Sequence, residues 1–321
     1  MTKEDLRIVF MGTPEFAVET LKVLVENQYN VVAVVTQPDK PVGRHGSVLQ
    51  PSAVKQYALE QGLPVLQPVK MKDPEFVESL RSYQANLQVV VAFRMLPEVV
   101  WAMPEYGTFN VHAALLPQYR GAAPINWAVI NGETLTGVTT FFLDHDIDTG
   151  RIIRQLPFPI PDEADVEYVY DGLMHLGARI CLETLEQIVA ADGHPDSIAQ
   201  MEPADLKLAP KIFKETCEVN WQQPSKRIYD FIRGLSPYPG AWTTLVGPDG
   251  KETVLKLFRT TKTSLPGSDK VGKITVDRKH LYVTTADGKL QIDELQLAGK
   301  KRMDAAAFLN GMKEIENYFV R

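Results

Sequence analysis

"LRIVFMGTPEFAVETLKVLVENQ", residues 6–28, decides the fold. It opens on an apolar run that stops at Gly12. From Pro14 onward the apolar residues recur at helical spacing. Proline suits a helix start, because the N–H it lacks has no partner there anyway. The stretch therefore reads as a strand, a tight turn at Gly12 and a helix. Outward from it the pattern repeats. "VVAVVTQ" (31–37) is a second β-branched run, and "PSAVKQYALEQG" (51–62) a second helix that ends at Gly62. "LQVVVAF" (87–93) is a third strand. "FNVHA" (109–113) is a fourth, with the helix "APINWAVING" (123–132) behind it, and "TGVTTFFLD" (136–144) is a fifth. Continuous apolar strands separated by helices imply a parallel sheet covered on both faces. The expected fold class is α/β, with a Rossmann-like, mostly parallel sheet. In such sheets ligands bind beyond the carboxyl ends of the strands.

Past "DTGRIIRQLPFPI" (148–160) a long helical pattern runs from about 165 to 191. Residues 193–212 have three prolines and no clean period, and read as a connection. Beyond them the pattern changes. One amphipathic helix, "PSKRIYDFIRGL" (224–235), precedes five short strands: "AWTTLV", "TVLKLFRTT", "VGKITV", "HLYVTT" and "LQIDELQL". Turn signals such as "GPDG" and "ADG" separate them. Close-spaced short strands of this kind suggest a small OB-like β-barrel. The expected division is a first domain over 1–204, a linker over 205–212 and a C-terminal domain over 213–321.

Composition narrows the class. The chain has 321 residues, 45% of them hydrophobic and 23% charged, as in an ordinary globular protein with room for two domains. Two cysteines, Cys181 and Cys217, exclude a disulfide framework and a cysteine-rich zinc site, and read as reduced thiols of a cytoplasmic protein. The start, "MTKEDLRIVFMG", runs straight into a strand without the basic and apolar regions of a signal peptide. No apolar run is long enough to span a bilayer, so no membrane partner is expected. Net charge is −6, unevenly divided. Residues 1–204 hold 14 Lys and Arg against 26 Asp and Glu, whereas 205–321 hold 20 against 14. A basic C-terminal third suggests an anionic partner such as nucleic acid; it also reads as a surface that serves solubility alone.

The chemistry concentrates at the fourth strand. Asn110 and His112 share one face, because side chains alternate along a strand. Asp148, in "DHDIDTG", follows the next strand and can meet the histidine across neighbouring strand ends. An amide that donates to a developing oxyanion, an imidazole that manages a proton and a carboxylate that orients it are the parts of acyl transfer to an amine. No activated serine or cysteine stands nearby, which favours direct transfer through a tetrahedral intermediate over a covalent acyl-enzyme. The same residues also read as a satisfied core histidine and a turn-capping carboxylate. "DHDID" (144–148) has metal-ligand residue types but no recognised metal-loop spacing, so no metal is expected; Asp144 and Asp146 read as turn residues. "FMGTP" (10–14) has one glycine where a dinucleotide fold carries three, which disfavours NAD. "TQPDKPVGRHGS" (36–47) is a loop whose Lys40, Arg44 and His45 suit phosphate contact, or a plain surface loop.

Taken together, these motifs resemble the folate-dependent formyltransferases, and among them the methionyl-tRNA formyltransferase family. "NVHAALLPQYRGAAPI" looks like the family's folate-loop signature and "DIDTG" like its aspartate motif. "MGTPEFA" and "QPDKPVGR" resemble its first turn and basic insertion loop. "APKI", "SPYPGAW" and "LQLAGKKRM" match its linker and C-terminal domain. The likeness covers nearly the whole chain. It implies transfer of the formyl group of 10-formyltetrahydrofolate, as co-substrate, to the amine of methionyl initiator tRNA, with no obligate protein partner. It implies catalytic roles for Asn110, His112 and Asp148, and a folate site along Ala114, Leu115, Leu116 and Pro117. It also implies tRNA contacts from Arg44 and Lys211. Arg120 reads as a phosphate contact or as the partner of a local carboxylate. Two departures stand out: Phe93 and Arg94 where the family usually has tyrosine and glycine, and Ala114 where serine is common. Formyl transfer to a small amine such as a nucleotide-sugar is a competing reading; the basic C-terminal third and the Arg44 loop argue against it. An RNA-binding protein with a lapsed catalytic domain is another; the intact Asn110, His112 and Asp148 set argues against that.

Overall fold

The computed structural model describes residues 1–268 and 270–321; Asp269 and the side chain of Arg44 lie outside the described residues. The chain divides into two compact units that interleave in sequence. The first comprises Met1–Gly121, Leu135–Pro159 and Tyr170–Leu208; the second comprises Ala122–Thr134, Ile160–Val169 and Ala209–Arg321.

The first unit is built on a seven-stranded sheet. Its strands are β1 (Ile8–Gly12), β2 (Val31–Val35), β3 (Val65–Leu66), β4 (Leu87–Val91), β5 (Thr108–His112), β6 (Leu135–Phe142) and β7 (Ile152–Pro159), in spatial order β7-β6-β5-β4-β1-β2-β3. The pairs from β3 through β5 are parallel. β6 runs antiparallel to β5, and β7 antiparallel to β6. The fifth strand expected from the sequence therefore forms, but with reversed direction. Every residue of β1 and β4 is buried, as strands covered on both faces require. Helices α1 (Glu15–Glu26), α2 (Ala53–Glu60), α3 (Pro74–Ser82) and α4 (Glu98–Trp101) connect the parallel strands. Phe76 and Leu80 of α3 and Val100 of α4 pack with Val9, Met11, Val35 and Val90. Gly12 closes β1 because nothing larger fits: a Cβ there would stand 2.7 Å from the Ala17 Cβ and 2.8 Å from the Val91 oxygen. The basic loop contains a small hairpin, Lys40–Val42 against Val48–Gln50, exposed along both strands.

The second unit is an antiparallel sheet with helices. Its strands are β8 (Ala241–Val246), β9 (Glu252–Lys262), β10 (Ile274–Asp277), β11 (His280–Thr284), β12 (Lys289–Leu297), β13 (Met303–Asp304) and β14 (Phe319–Val320). Their path is β10-β11-β12-β9-β8-β14, with β13 beside β12. An isolated antiparallel bridge joins Lys273 to Phe319, next to the two ends of that path. The core combines Leu245, Leu257, Val283, Ile292 and Leu295 with Ile228, Ile232 and Leu235 of α7 (Ser225–Leu235). Helix α5 (Pro124–Ile130), expected behind the fourth strand, instead contributes Ile130 to this core. Asn126 of α5 donates to the Gly234 carbonyl of α7 at 2.9 Å. Among the described residues no helix is long and apolar enough to cross a membrane, the 25-residue α6 (Val166–Ala190) included.

Candidate active site

Asn110 and His112 lie near the carboxyl end of β5, where the sheet changes from parallel to antiparallel pairing. Asn110 is in register with Val90 of β4 and Phe141 of β6, and His112 with Thr139. The period of the strand turns both side chains to one face. His112 is 6% exposed. Its Nε2 donates to the Tyr119 carbonyl at 2.9 Å. A carbonyl only accepts, so that contact places a proton on Nε2 and leaves Nδ1 as the basic nitrogen of the neutral ring. Nδ1 faces Asp148 Oδ2 at 3.9 Å, which is ion-pair range but too long for a hydrogen bond. Phe141 meets the imidazole edge to face, with centroids 6.3 Å apart.

Asp148 sits in the left-handed region at φ 56°, a conformation that aspartate tolerates better than most residues. Its Oδ2 accepts from the Gly121 amide at 2.8 Å. Gln200 Nε2 donates to the carbonyls of Asp148 and Gly150, both at 2.8 Å. Arg120 is buried. Its Nε and Nη2 reach Gln200 Oε1 at 3.2 and 2.9 Å, and its Nη1 reaches Glu202 at 2.6 Å. Of the two sequence readings of Arg120, the local carboxylate is the one observed. Asn110 differs from its neighbours: its Oδ1 is buried with no hydrogen-bond partner among the described residues. Buried polar atoms are nearly always paired, so this free acceptor near the strand end is unusual.

Residues 114–117 form the adjoining wall. Thr139 Oγ1 donates to the Ala114 carbonyl at 2.7 Å and accepts from the Leu116 amide at 3.1 Å. Gln155 Nε2 donates to the Leu116 carbonyl and to Thr139 Oγ1, both at 2.9 Å. Leu115 lies over Gly137, where a Cβ would come within 2.6 Å of the leucine Cδ2. The Leu116–Pro117 peptide is cis. Nearby in sequence, Ala92 takes φ 48°. Arg94 donates to the Val69 carbonyl at 2.9 Å and to that of Pro68, with its guanidinium 5.5 Å from the Phe93 ring.

The structure thus brings Asn110, His112 and Asp148 to one locality and gives residues 114–117 a fixed backbone. The Arg44 side chain lies outside the described residues. Lys211 is exposed, its Nζ 5.5 Å from the Phe213 ring. Asp144 caps a turn, accepting from the Asp146 amide and the Thr149 hydroxyl. Among the described residues no group of three or more histidine, cysteine or carboxylate side chains could hold a metal. Sequence reasoning missed Tyr119, Gly121, Thr139, Gln155 and Gln200. Of these, Tyr119 and Gly121 lie within the quoted loop motif, while Gln200 falls in a stretch without period.

Comparison with known proteins converges on one family. A profile described as formyl transferase matches residues 6–185, and one described as formyl transferase, C-terminal domain, matches 211–313. A Parabacteroides distasonis protein named methionyl-tRNA formyltransferase is 62% identical over 325 residues, covering 100% of both chains. One of the same name from Bacteroides fragilis is 58% identical, covering 99% of this chain and 98% of its own. Among solved structures, HypX from Aquifex aeolicus in complex with tetrahydrofolic acid shares the fold. Its TM-score is 0.62 at 20% identity, over 95% of this chain and 47% of that one. On its full-length likeness at 62% identity and two matching formyl transferase profiles, the chain belongs to the methionyl-tRNA formyltransferase family.

Proposed function

We propose that the protein transfers the formyl group of 10-formyltetrahydrofolate to the free amine of methionyl initiator tRNA. The product is N-formylmethionyl-tRNA for translation initiation, made in the cytoplasm. The observation that carries this reading is the Asn110 carboxamide, its buried Oδ1 without a partner among the described residues, on the same strand face as a histidine whose Nε2–H is held by a carbonyl. When bound, the folate supplies a formyl group already activated for transfer to an amine. The Asn110 Nδ2 donates to that group's oxygen, where negative charge develops, and its free Oδ1 is left to accept from the attacking amine; a donor so aimed is worth most in a dry site. His112 takes the proton of the attacking amine at Nδ1, the nitrogen left free by the Tyr119 contact. Asp148 faces the imidazolium that results and offsets its charge, and the ring would return that proton to the folate nitrogen that departs as its bond to the formyl carbon breaks. The backbone of residues 114–117, fixed by Thr139 and Gln155, lines the folate site.

Residues 1–204 serve as the catalytic domain, apart from 122–134 and 160–169, which pack with the second unit; 205–212 serve as linker and 213–321 as the tRNA-binding domain. The two profile matches, to 6–185 and 211–313, support that division. We take the antiparallel sheet of the second unit as an OB-like barrel; the Lys273–Phe319 bridge beside the ends of its strand path supports closure. Arg44 and Lys211 contact tRNA, supported by the exposed hairpin around Arg44 and the basic balance of residues 205–321.

The test offers labelled 10-formyltetrahydrofolate with two acceptors, methionyl initiator tRNA and a nucleotide-linked aminosugar. Label on the methionine is the expected result. Transfer to the sugar alone, or to neither by folded protein, overturns the reading.

A further inference from the structure

The left-handed turn at Asp148 is held by side chains that the proposed chemistry does not use. Gln200 spends both N–H groups on it, one on the Asp148 carbonyl and one on that of Gly150, each at 2.8 Å. Its acceptor end is gripped by Arg120 through Nε and Nη2, and Arg120 in turn is tied to Glu202. On the other side, the Gly121 amide, directly after Arg120, holds the Asp148 carboxylate at 2.8 Å. The amide of Gln200 therefore has every donor used and its oxygen doubly occupied. Such a fully satisfied group fixes position, since moving it breaks several partly buried hydrogen bonds at once.

We propose that Gln200, locked in orientation by Arg120, is a positioning residue for Asp148: it holds the peptide whose left-handed turn aims the carboxylate at His112. The inference rests on the formyl-transfer reading of this site. The choice of glutamine follows from the partners. Two carbonyls need two donors, and an arginine needs an acceptor; a carboxamide of this length supplies both, whereas a carboxylate supplies only the second. Gln200→Glu keeps size and the Arg120 contact but sets a carboxylate against two carbonyls. Gln200→Ala removes both.

The experiment is a double-mutant cycle on the full chain, read by single-turnover formylation of methionyl initiator tRNA. Gln200→Ala is expected to lower the single-turnover rate by ~10–100-fold, the range for misplacing a reacting group by about 1 Å. KM values for folate and tRNA should stay near wild type. Gln200→Glu should lose about as much as Gln200→Ala. In an Asp148→Asn background, Gln200→Ala should cost almost nothing more, because Gln200 acts through the group already removed. A Gln200 substitution that merely loosened the fold would add its cost to that of Asp148→Asn. Additive losses, or wild-type rates in both Gln200 variants, overturn the proposal. A wild-type protein inactive on methionyl-tRNA overturns the formyl-transfer reading instead. A crystal structure decides the positioning without any assay. Should Gln200→Ala fail to fold, Gln200→Glu is crystallised. The His112–Asp148 separation is expected to widen and the left-handed turn to relax. Unchanged separation and φ at Asp148 would contradict the proposal whatever the activity.

Discussion

At the scale of single residues, the division of labour on the His112 ring follows from one backbone contact. The Tyr119 carbonyl holds Nε2–H, which leaves Nδ1, on the side of Asp148, as the ring nitrogen open to a proton. The strand period announced that Asn110 and His112 share a face; alone it also allowed a core histidine, and the motif resemblance nominated them. It could not announce which nitrogen is basic, because that depends on a carbonyl seven positions away in a loop. Gln200 was less legible still: its partner is a backbone carbonyl 52 positions away, and backbone carbonyls leave no trace in residue type. Asn110→Ala tests the amide. Removing one donor to developing charge costs about 10²–10³-fold in the chemical step. Rapid-quench rates should fall by that much, while folate affinity measured by fluorescence quenching changes little. Equal losses in affinity and rate would assign Asn110 to ground-state binding.

At the scale of elements, strands β1, β2 and β4 were legible because burial on both faces leaves an apolar run, broken in β4 by Gln88 alone; β5, with Thr108, Asn110 and His112, was legible from its place between a strand and a helix pattern. β7 was not: only its first residue is buried, and two prolines interrupt it. The direction of β6 was also hidden, since hydrophobic content says a strand is buried and not which way it runs. The Lys40–Val42 hairpin is exposed throughout, so no alternation marked it. Gly12 illustrates a turn chosen for space. Gly12→Ala would press a methyl into Ala17 and the Val91 carbonyl, and overpacking of this kind costs about 1–3 kcal/mol. Urea denaturation should report a loss in that range; an unchanged midpoint would mean the turn relaxes freely. The hairpin carries its own prediction. Arg44→Ala should lower kcat/KM on methionyl-tRNA while leaving folate binding intact. Arg44→Lys should rescue only in part, since lysine lacks the planar fork that grips phosphate. Wild-type efficiency in Arg44→Ala would remove the hairpin from tRNA contact.

At the scale of the whole molecule, the sequence suggested two domains end to end, whereas packing groups residues 122–134 and 160–169 with the C-terminal third. A boundary of that kind is set by long-range contacts, as when Ile130 joins the core of the antiparallel unit, and composition does not record it. The segment around Asp162 ties into the same unit: Lys226 and Lys262 both pair with its carboxylate, and Tyr229 donates to its carbonyl. The Lys262 hydrogen bond holds the Asp162 carboxyl below its usual value of 3.8. A depressed carboxylate stabilises the fold above that usual value, and the gain fades as pH falls below it. Asp162→Asn should therefore flatten the acid side of the stability profile below the carboxyl's usual value of 3.8; an unchanged slope would show that the exposed pair contributes nothing. The central claim, that the end of β5 performs the transfer, is tested most directly by the single-turnover rate of His112→Ala on methionyl initiator tRNA with saturating 10-formyltetrahydrofolate. A rate lower by ~10²–10⁴-fold is expected, the span for a positioned proton acceptor, with folate affinity nearly unchanged. A rate near wild type would contradict it.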